Sequence, residues 1–259
     1  VAAAPAGEEP VPELKGNVVV VTGAAQGIGE AVARRLAREG ARLLLADVQQ
    51  AKLARVAEAI RETGGAVETA TTDIADPAQA DAMARVALDA FGRIDALVNN
   101  AALDAPPGHA SEIDVAHWRR VVDVDLSGAW WCTRAVLPAM RAQRRGRVVN
   151  ISSISARMAT PETSPAYSAA KAGLLGLTIS LSVQLERDGI LVNAITPGAT
   201  GSTGTPVPEE QRRLYEAVFP LGFGGAQPVA DAVGFLLGPS GDWISGAVLN
   251  VSGGALRGV

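Results

Sequence analysis

Tyr167 and Lys171 stand four residues apart in Tyr167-Ser-Ala-Ala-Lys171. If that stretch is helical, the two side chains share a face. An ammonium beside a phenol favours the phenolate and brings the hydroxyl's pKa down from ~10. The result is a group able to take a proton from an alcohol or give one to a ketone oxygen. An amphipathic surface pair has the same spacing, so the surroundings decide. The chain holds only two tyrosines, and the other, Tyr215, has no such neighbour. Upstream, the apolar run Val148-Val-Asn-Ile151 ends in Ser152-Ser153, 14 residues before Tyr167. A serine hydroxyl at the carboxyl end of a strand can hydrogen-bond a substrate oxygen. Ser153 is the candidate, with Ser152 and Ser155 as competitors.

A second constellation lies near the start. Val18-Val-Val-Val-Thr22 runs into Gly23-Ala-Ala-Gln26-Gly27-Ile28-Gly29 and directly into a helical pattern. Glycines in a strand-to-helix turn let the backbone approach a pyrophosphate at the positive end of a helix. The spacing is G-x-x-x-G-x-G rather than the more widespread G-x-G-x-x-G. The next strand ends in Asp47, 18 residues past Gly29. An acid there accepts hydrogen bonds from adenosine ribose hydroxyls and repels a 2′-phosphate, which favours NAD over NADP. No Arg or Lys lies within 23–29 or 48–51 to attract that phosphate. Asp73-Ile74 is a candidate adenine contact. Asn99-Asn100-Ala101-Ala102 is a polar turn in which Asn can brace neighbouring backbone; both have ordinary turn chemistry as the alternative.

These residues sit in a regular alternation of elements. Strands are expected at Val18–Thr22, Arg42–Ala46, Val67–Thr71, Ala96–Asn99, Arg147–Ile151, Leu191–Ile195 and Val248–Val251, from short, apolar, β-branched composition. Helices are expected at Ile28–Glu39, Gln49–Thr63, from Asp76-Pro77 onward, at Asp114–Arg145 with interruptions at Gly128 and Pro138, and at Pro165–Glu186. Shorter ones are expected near Glu209–Val218 and Pro228–Leu237. Such alternation predicts an α/β doubly wound parallel sheet, seven-stranded, with helices on both faces. Residues 1–12, Ala/Pro/Glu-rich and without the basic-then-apolar order of a signal peptide, are expected to be a flexible lead-in. One domain is expected over 13–259, since no repeat, Ser/Gly linker or charge block divides it.

Composition narrows the function classes. Of 259 residues, 48% are apolar and 19% charged, which is globular. A chain this long buries roughly 75% of its unfolded surface without a metal or disulfide staple. The net charge of -4 argues against nucleic acid as the main partner. No continuous apolar run reaches ~18 residues, so no membrane partner is expected. One cysteine, Cys132, excludes an internal disulfide and fits a reducing, cytoplasmic compartment. No zinc ligand set is visible, and metal ligation is expected nowhere. His109 and His117 lack partners at metal-ligand spacing, and His117 reads as surface or packing. Trp130-Trp131 read as core or interface, and Cys132 as an apolar filler. Arg141, Arg144, Arg145 and Arg147 read as a solvated basic cluster.

As an ordered set, Thr22-Gly23-x-x-x-Gly27-x-Gly29, Asp73, Asn99-Asn100-Ala101, Ser153, Tyr167-x-x-x-Lys171 and Pro197-Gly198 resemble the short-chain dehydrogenase/reductase superfamily from Lys15 to Gly254. The resemblance implies a single-domain Rossmann fold, an NAD cofactor and a small-molecule alcohol or ketone as substrate. It also implies a homotetramer, or a dimer as second choice. It makes Tyr167 the general acid/base, with Lys171 binding the nicotinamide ribose and lowering the tyrosine's pKa. It gives Ser153 the substrate oxygen. Pro197-Gly198 would line the nicotinamide, Val192 would contact the carboxamide, and the loop to about Pro220 would cover the substrate. The sequence departs from the family in three places. Ala102 replaces a usual glycine, and Asp125 stands where the family has a catalytic-site asparagine. The usual threonine after Pro-Gly has three matches, Thr200, Ser202 and Thr203. The competing reading is an inactive dinucleotide-binding, redox-sensing protein, but such proteins usually lack the Tyr or Lys. Enoyl reductases on the same fold space the two farther apart.

Overall fold

Val18–Thr22 offers no polar position for a solvated face, and in the computed structural model of the chain it is a strand, β1, buried along its whole length. The structure describes residues 14–103, 109–159, 163–201, 209, 213 and 219–257. After β1 come α1 (Gly27–Arg38), β2 (Arg42–Asp47), α2 (Gln50–Glu62), β3 (Val67–Thr71), α3 (Pro77–Phe91) and β4 (Ala96–Asn99). Then follow α4 (Val115–Val122), a π-helical stretch (Asp123–Gly128), α5 (Ala129–Gln143) and β5 (Gly146–Ile151). The last elements are α6 (Pro165–Leu185), β6 (Ile190–Pro197), α7 (Gln227–Leu237) and β7 (Val248–Val251). The lead-in 1–12, the Pro106-Pro107-Gly108 loop and most of the segment expected as a short helix near 209–218 fall outside the described residues.

All seven strands are parallel, in the order β3-β2-β1-β4-β5-β6-β7. The order reverses between β1 and β4, so the carboxyl ends of those two strands flank a crevice where open α/β sheets bind ligands. Side-chain alternation fills both faces. Val19 and Val21 join Leu36, Leu53 and Val233 under α1, α2 and α7. Val20 joins Met83, Met140 and Leu181 under α3, α5 and α6. A strand buried on both faces has no polar side to keep, which is why these runs read as continuous apolar sequence.

The expected helix over 114–145 is three pieces in one rod. The six-residue π-helical stretch replaces the interruption assigned to Gly128, and Pro138 lies inside α5 without ending it. A Cβ at Gly128 would come 2.7 Å from Ile74 Cδ1, so the glycine lets this rod press on the chain after β3. The stretch Pro165–Asp188 is long and apolar enough to cross a membrane by length and composition, and close to half of its apolar part is buried inside the protein. It packs on β6, on α4 and on the 154–156 turn. Ser168, Lys171, Thr178 and Ser180 break its apolar residues, so the sequence shows no continuous run.

Candidate active site

The glycine turn is held from three sides. Thr22 Oγ1 accepts from the backbone N–H groups of Asn100 and Ala101, each at 3.1 Å. Asn100 Nδ2 donates to the carbonyls of Thr22 and Gly23, both at 3.0 Å. The turns after β1 and β4 are thereby joined. Gly23 has φ +66, and a Cβ there would lie 2.6 Å from Ala101 Cα; a Cβ on Gly29 would lie 2.1 Å from the Gly23 carbonyl oxygen. Both glycines are required by close approach of backbone to backbone.

Asp47 closes the third side. It is 8% exposed, with Oδ2 accepting from Ala25 N at 3.1 Å and Oδ1 from Gln49 N at 2.9 Å. Gln26 is extended and leads into α1 without capping it. Its Oε1 instead accepts from Lys52 Nζ at 2.6 Å. Lys52 lies one residue beyond the cation-free run 48–51, and its place on α2 lets its side chain reach back to the turn. The half-buried Ile28 packs its apolar side chain against the core beneath α1.

Asp73 is occupied within its own turn. Its Oδ1 accepts from Ala75 N at 3.0 Å, its Oδ2 stands 3.4 Å from Arg120 Nη1, and its N–H donates to Gln79. Ile74 is buried in the core. At β6, Gly198 N donates to the Val251 carbonyl at 3.0 Å. A Cβ on Gly198 would meet Phe219 Cε1 at 2.8 Å and Ser252 Cα at 2.9 Å. Thr200 is buried, whereas Ser202 and Thr203 lie outside the described residues.

The second cluster gathers at the carboxyl end of β5. Lys171 is 3% exposed, its Nζ 5.5 Å from the centre of the Tyr167 ring. That Nζ donates to the Ile151 carbonyl at 3.3 Å and stands 3.6 Å from Asp125 Oδ2. Asp125, in the π-helical stretch, is 1% exposed, and its Oδ1 accepts from Leu103 N at 2.8 Å. Burial separates Ser152 from Ser153 and Ser155, which are both half-buried. Ser152 Oγ donates to the Lys171 carbonyl at 2.8 Å and is buried. Ser153 is half-buried, and its Oγ accepts from Ser155 N at 3.1 Å, leaving its proton to donate elsewhere.

Beneath this cluster runs a buried amide chain that sequence reasoning missed. Asn99 Nδ2 donates to Asn150 Oδ1 at 2.8 Å and to Thr133 Oγ1 at 3.0 Å, and Asn150 Nδ2 donates to Thr178 Oγ1 at 2.9 Å. It ties β4, β5, α5 and α6 together. The available signal was an asparagine inside an otherwise apolar strand.

One assignment is corrected. Arg147 is not part of a solvated basic cluster. It is buried at the start of β5, with Nη1 donating to the Leu236 carbonyl and Nη2 paired with Asp242. Burial and then the neighbouring Arg145 push its pKa down. Cys132 is buried, and burial pushes its thiol up to about 12, as befits a core filler. Trp130 and Trp131 are half-buried against the core, and Arg134 lies 5.4 Å over the Trp131 ring. His117 Nε2 stands 3.5 Å from Ser164 Oγ, and the exposed His109 bonds Ser111. Among the described residues, no three His, Cys, Asp or Glu side chains gather as for a metal.

The family model described as short chain dehydrogenase matches residues 17–213. The chain belongs to the short-chain dehydrogenase/reductase family. Over 240 residues this family member is 39% identical to cis-4-hydroxycyclohexanecarboxylate dehydrogenase of Sinomonas cyclohexanicum, covering 92% of this chain and 96% of the relative. Over 245 residues it is 34% identical to the 3-oxoacyl-[acyl-carrier-protein] reductase FabG of Thermotoga maritima, covering 93% and 98%. The crystal structure of gox2181 superposes with a TM-score of 0.90 at 31% identity, covering 94% and 97%. The short-chain dehydrogenase/reductase is therefore an oxidoreductase of a family that uses NAD(P), and its seven-stranded sheet is the Rossmann-like sheet of its structural neighbours.

Proposed function

We propose that the protein is an NAD(H)-dependent oxidoreductase interconverting a secondary alcohol and a ketone, acting as one domain over residues 13–259. The observation that carries this reading is the buried Lys171 ammonium 5.5 Å from the Tyr167 ring, at the strand end that also presents Ser153. In oxidation Tyr167 takes the hydroxyl proton, and in reduction it returns one to the carbonyl oxygen. Ser153 donates its free hydroxyl proton to the same oxygen and orients it. Lys171, fastened to the Ile151 carbonyl, supplies positive charge beside the phenol.

The donor set at the glycine turn fits a dinucleotide. Gln26 leaves the first N–H groups of α1 without a side-chain cap, so they suit a diphosphate over Gly27, Ile28 and Gly29. Asp47 at the end of β2 supports NAD over NADP by repelling a 2′-phosphate. Asp73 and Ile74 would serve the adenine, the latter by backbone because its side chain is core. Asn100 and Ala101 would serve the ribose side, Tyr167 and Lys171 the nicotinamide ribose, and Pro197 and Gly198 the nicotinamide. When bound, the nicotinamide supplies or accepts the hydride.

The two relatives' names, a hydroxycyclohexanecarboxylate dehydrogenase and a 3-oxoacyl reductase, both describe oxygen on a secondary carbon. They support a partly apolar or cyclic substrate. The buried free cysteine supports a cytoplasmic location, and exposed apolar side chains on α4 and α6 support a homotetramer. The test is a panel of cyclic, steroid, diol and 3-hydroxyacyl substrates with NAD and with NADP, followed by absorbance of the reduced nicotinamide. Turnover of secondary alcohols with NAD is the expected result; activity confined to NADP overturns the cofactor assignment.

A further inference from the structure

A buried carboxylate faces the ammonium that the proposed mechanism sets beside the phenol. Asp125 and Lys171 face each other at 3.6 Å with almost no solvent between them and the core. Three features fix the carboxylate there. The π-helical stretch turns residue 125 inward, Gly128 lets that stretch close on Ile74, and the Leu103 N–H holds Oδ1 at 2.8 Å. Oδ2 is left facing the ammonium. Bulk water screens a surface pair, but this pair is buried, so each charge is felt by its neighbours more strongly than it would be at the surface.

We propose that Asp125 sets the working pH of the site: its carboxylate cancels much of the Lys171 charge felt by Tyr167, so the phenol gives up its proton in a more alkaline range than Lys171 alone would dictate. Asp125 is a positioning residue, acting on the substrate only through Lys171 and Tyr167. The inference rests on Tyr167 being the acid/base, and it leaves the lysine a largely local role of holding the Ile151 carbonyl and the cofactor.

The other charged groups on elements packed against α6 are few. α4 brings His117, beside Ser164, together with the exposed Arg119 and with Arg120, which pairs with Asp73. The π-helical stretch adds Asp123, which is exposed. The 154–156 turn has no ionisable side chain and is followed by the exposed Arg157; β6 has none either. Glu186, Arg187 and Asp188 begin some 19 residues along the helix from Tyr167, about 28 Å away at ~1.5 Å per residue.

With Tyr215→Phe as background, Tyr167 is the one tyrosine left, and the ultraviolet difference absorbance of tyrosinate follows it directly without cofactor. Asp125→Asn keeps a carbonyl acceptor for Leu103, removes the charge and turns an amide NH2 toward Lys171 in place of Oδ2. It is expected to lower the Tyr167 midpoint by about one pH unit. Lys171→Met is expected to raise it, and the double variant to return it to within about half a unit of the starting protein. The acid limb of kcat/KM for alcohol oxidation should move down with Asp125→Asn by the same amount. A midpoint that stays or rises in Asp125→Asn overturns the proposal. Should that variant not fold, the difference between Lys171→Met and the double variant reads the same charge, and no difference overturns it. The acid/base assignment fails separately, through turnover surviving Tyr167→Phe.

Discussion

At the scale of single residues, Tyr167 and Asp47 carry the sharpest expectations. Tyr167→Phe keeps the ring over which Lys171 sits and deletes the hydroxyl proposed to carry the proton. Turnover should fall by about 10²–10⁴, with NADH binding by fluorescence nearly unchanged; retention of more than roughly a tenth of the rate would assign the proton to another group. Asp47 has two tasks, since the carboxylate proposed to read the ribose also holds the Ala25 and Gln49 N–H groups. Asp47→Ala should therefore narrow the preference for NADH over NADPH by at least about tenfold, a change of ~1.4 kcal/mol. It should also cost about 1–3 kcal/mol of stability by leaving those donors unpaired. Direct binding of both nucleotides and urea unfolding separate the two effects. Unchanged discrimination would show that Asp47 serves the turn alone.

At the scale of elements, the buried amide chain and α5 are the parts to probe. Asn150→Ala takes one acceptor from Asn99 and one donor from Thr178, while Asn99 keeps Thr133 and the Ala129 carbonyl and Thr178 keeps the Leu174 carbonyl; it should cost about 1–3 kcal/mol in urea unfolding. A loss below about 0.5 kcal/mol would mean that water replaces the amide. Cys132 on α5 gives a pH signature. Its thiol is raised from 9.0 to about 12 in the folded protein, so between those values the unfolded chain releases a proton that the folded chain keeps. Stability is fully present below pH 9 and falls as pH rises towards 12. Cys132→Ala should flatten that fall in unfolding measured across the window. The elements also show what a sequence makes legible. β1 and β4, buried along their whole length, coincide with their expected spans because a strand covered on both faces shows an almost unbroken apolar run, and the half-exposed edge strands β3 and β7 coincide because short β-branched stretches bounded by turns mark them. The π-helical stretch was invisible, since its six residues differ from an α-helix by hydrogen-bond register rather than composition. Glycine spacing and Tyr-x-x-x-Lys marked the candidate site, because chemistry demands residue type. Lys52, Asn150 and the burial of Arg147 stayed hidden, because each depends on a partner 26 to 95 residues away.

At the scale of the whole molecule, the apolar residues left outside are the guide. Ile179 and Val183 are 53% and 72% exposed on α6, with Val115 and Trp118 exposed on α4. A helix apolar on its outer side as well as its inner one needs a second partner. Light scattering should give the mass of four 26.5 kDa chains, or of two as second choice. Val183→Glu should shift the protein toward smaller species, whereas a monomer at micromolar concentration in the unaltered protein would remove the interface. One further property belongs to the molecule as a whole. Lys171 is tied to the end of β5 at two points, its backbone carbonyl by Ser152 Oγ and its Nζ by the Ile151 carbonyl. The helix bearing the tyrosine is thus buttoned to the sheet, and the length of chain spanning the gap does not set where the phenol stands. That span is free to be rewritten. Loop insertions after Arg157 should alter which alcohols enter while leaving the proton chemistry intact, which makes this connection the natural place to graft a new substrate preference onto an unchanged catalytic frame.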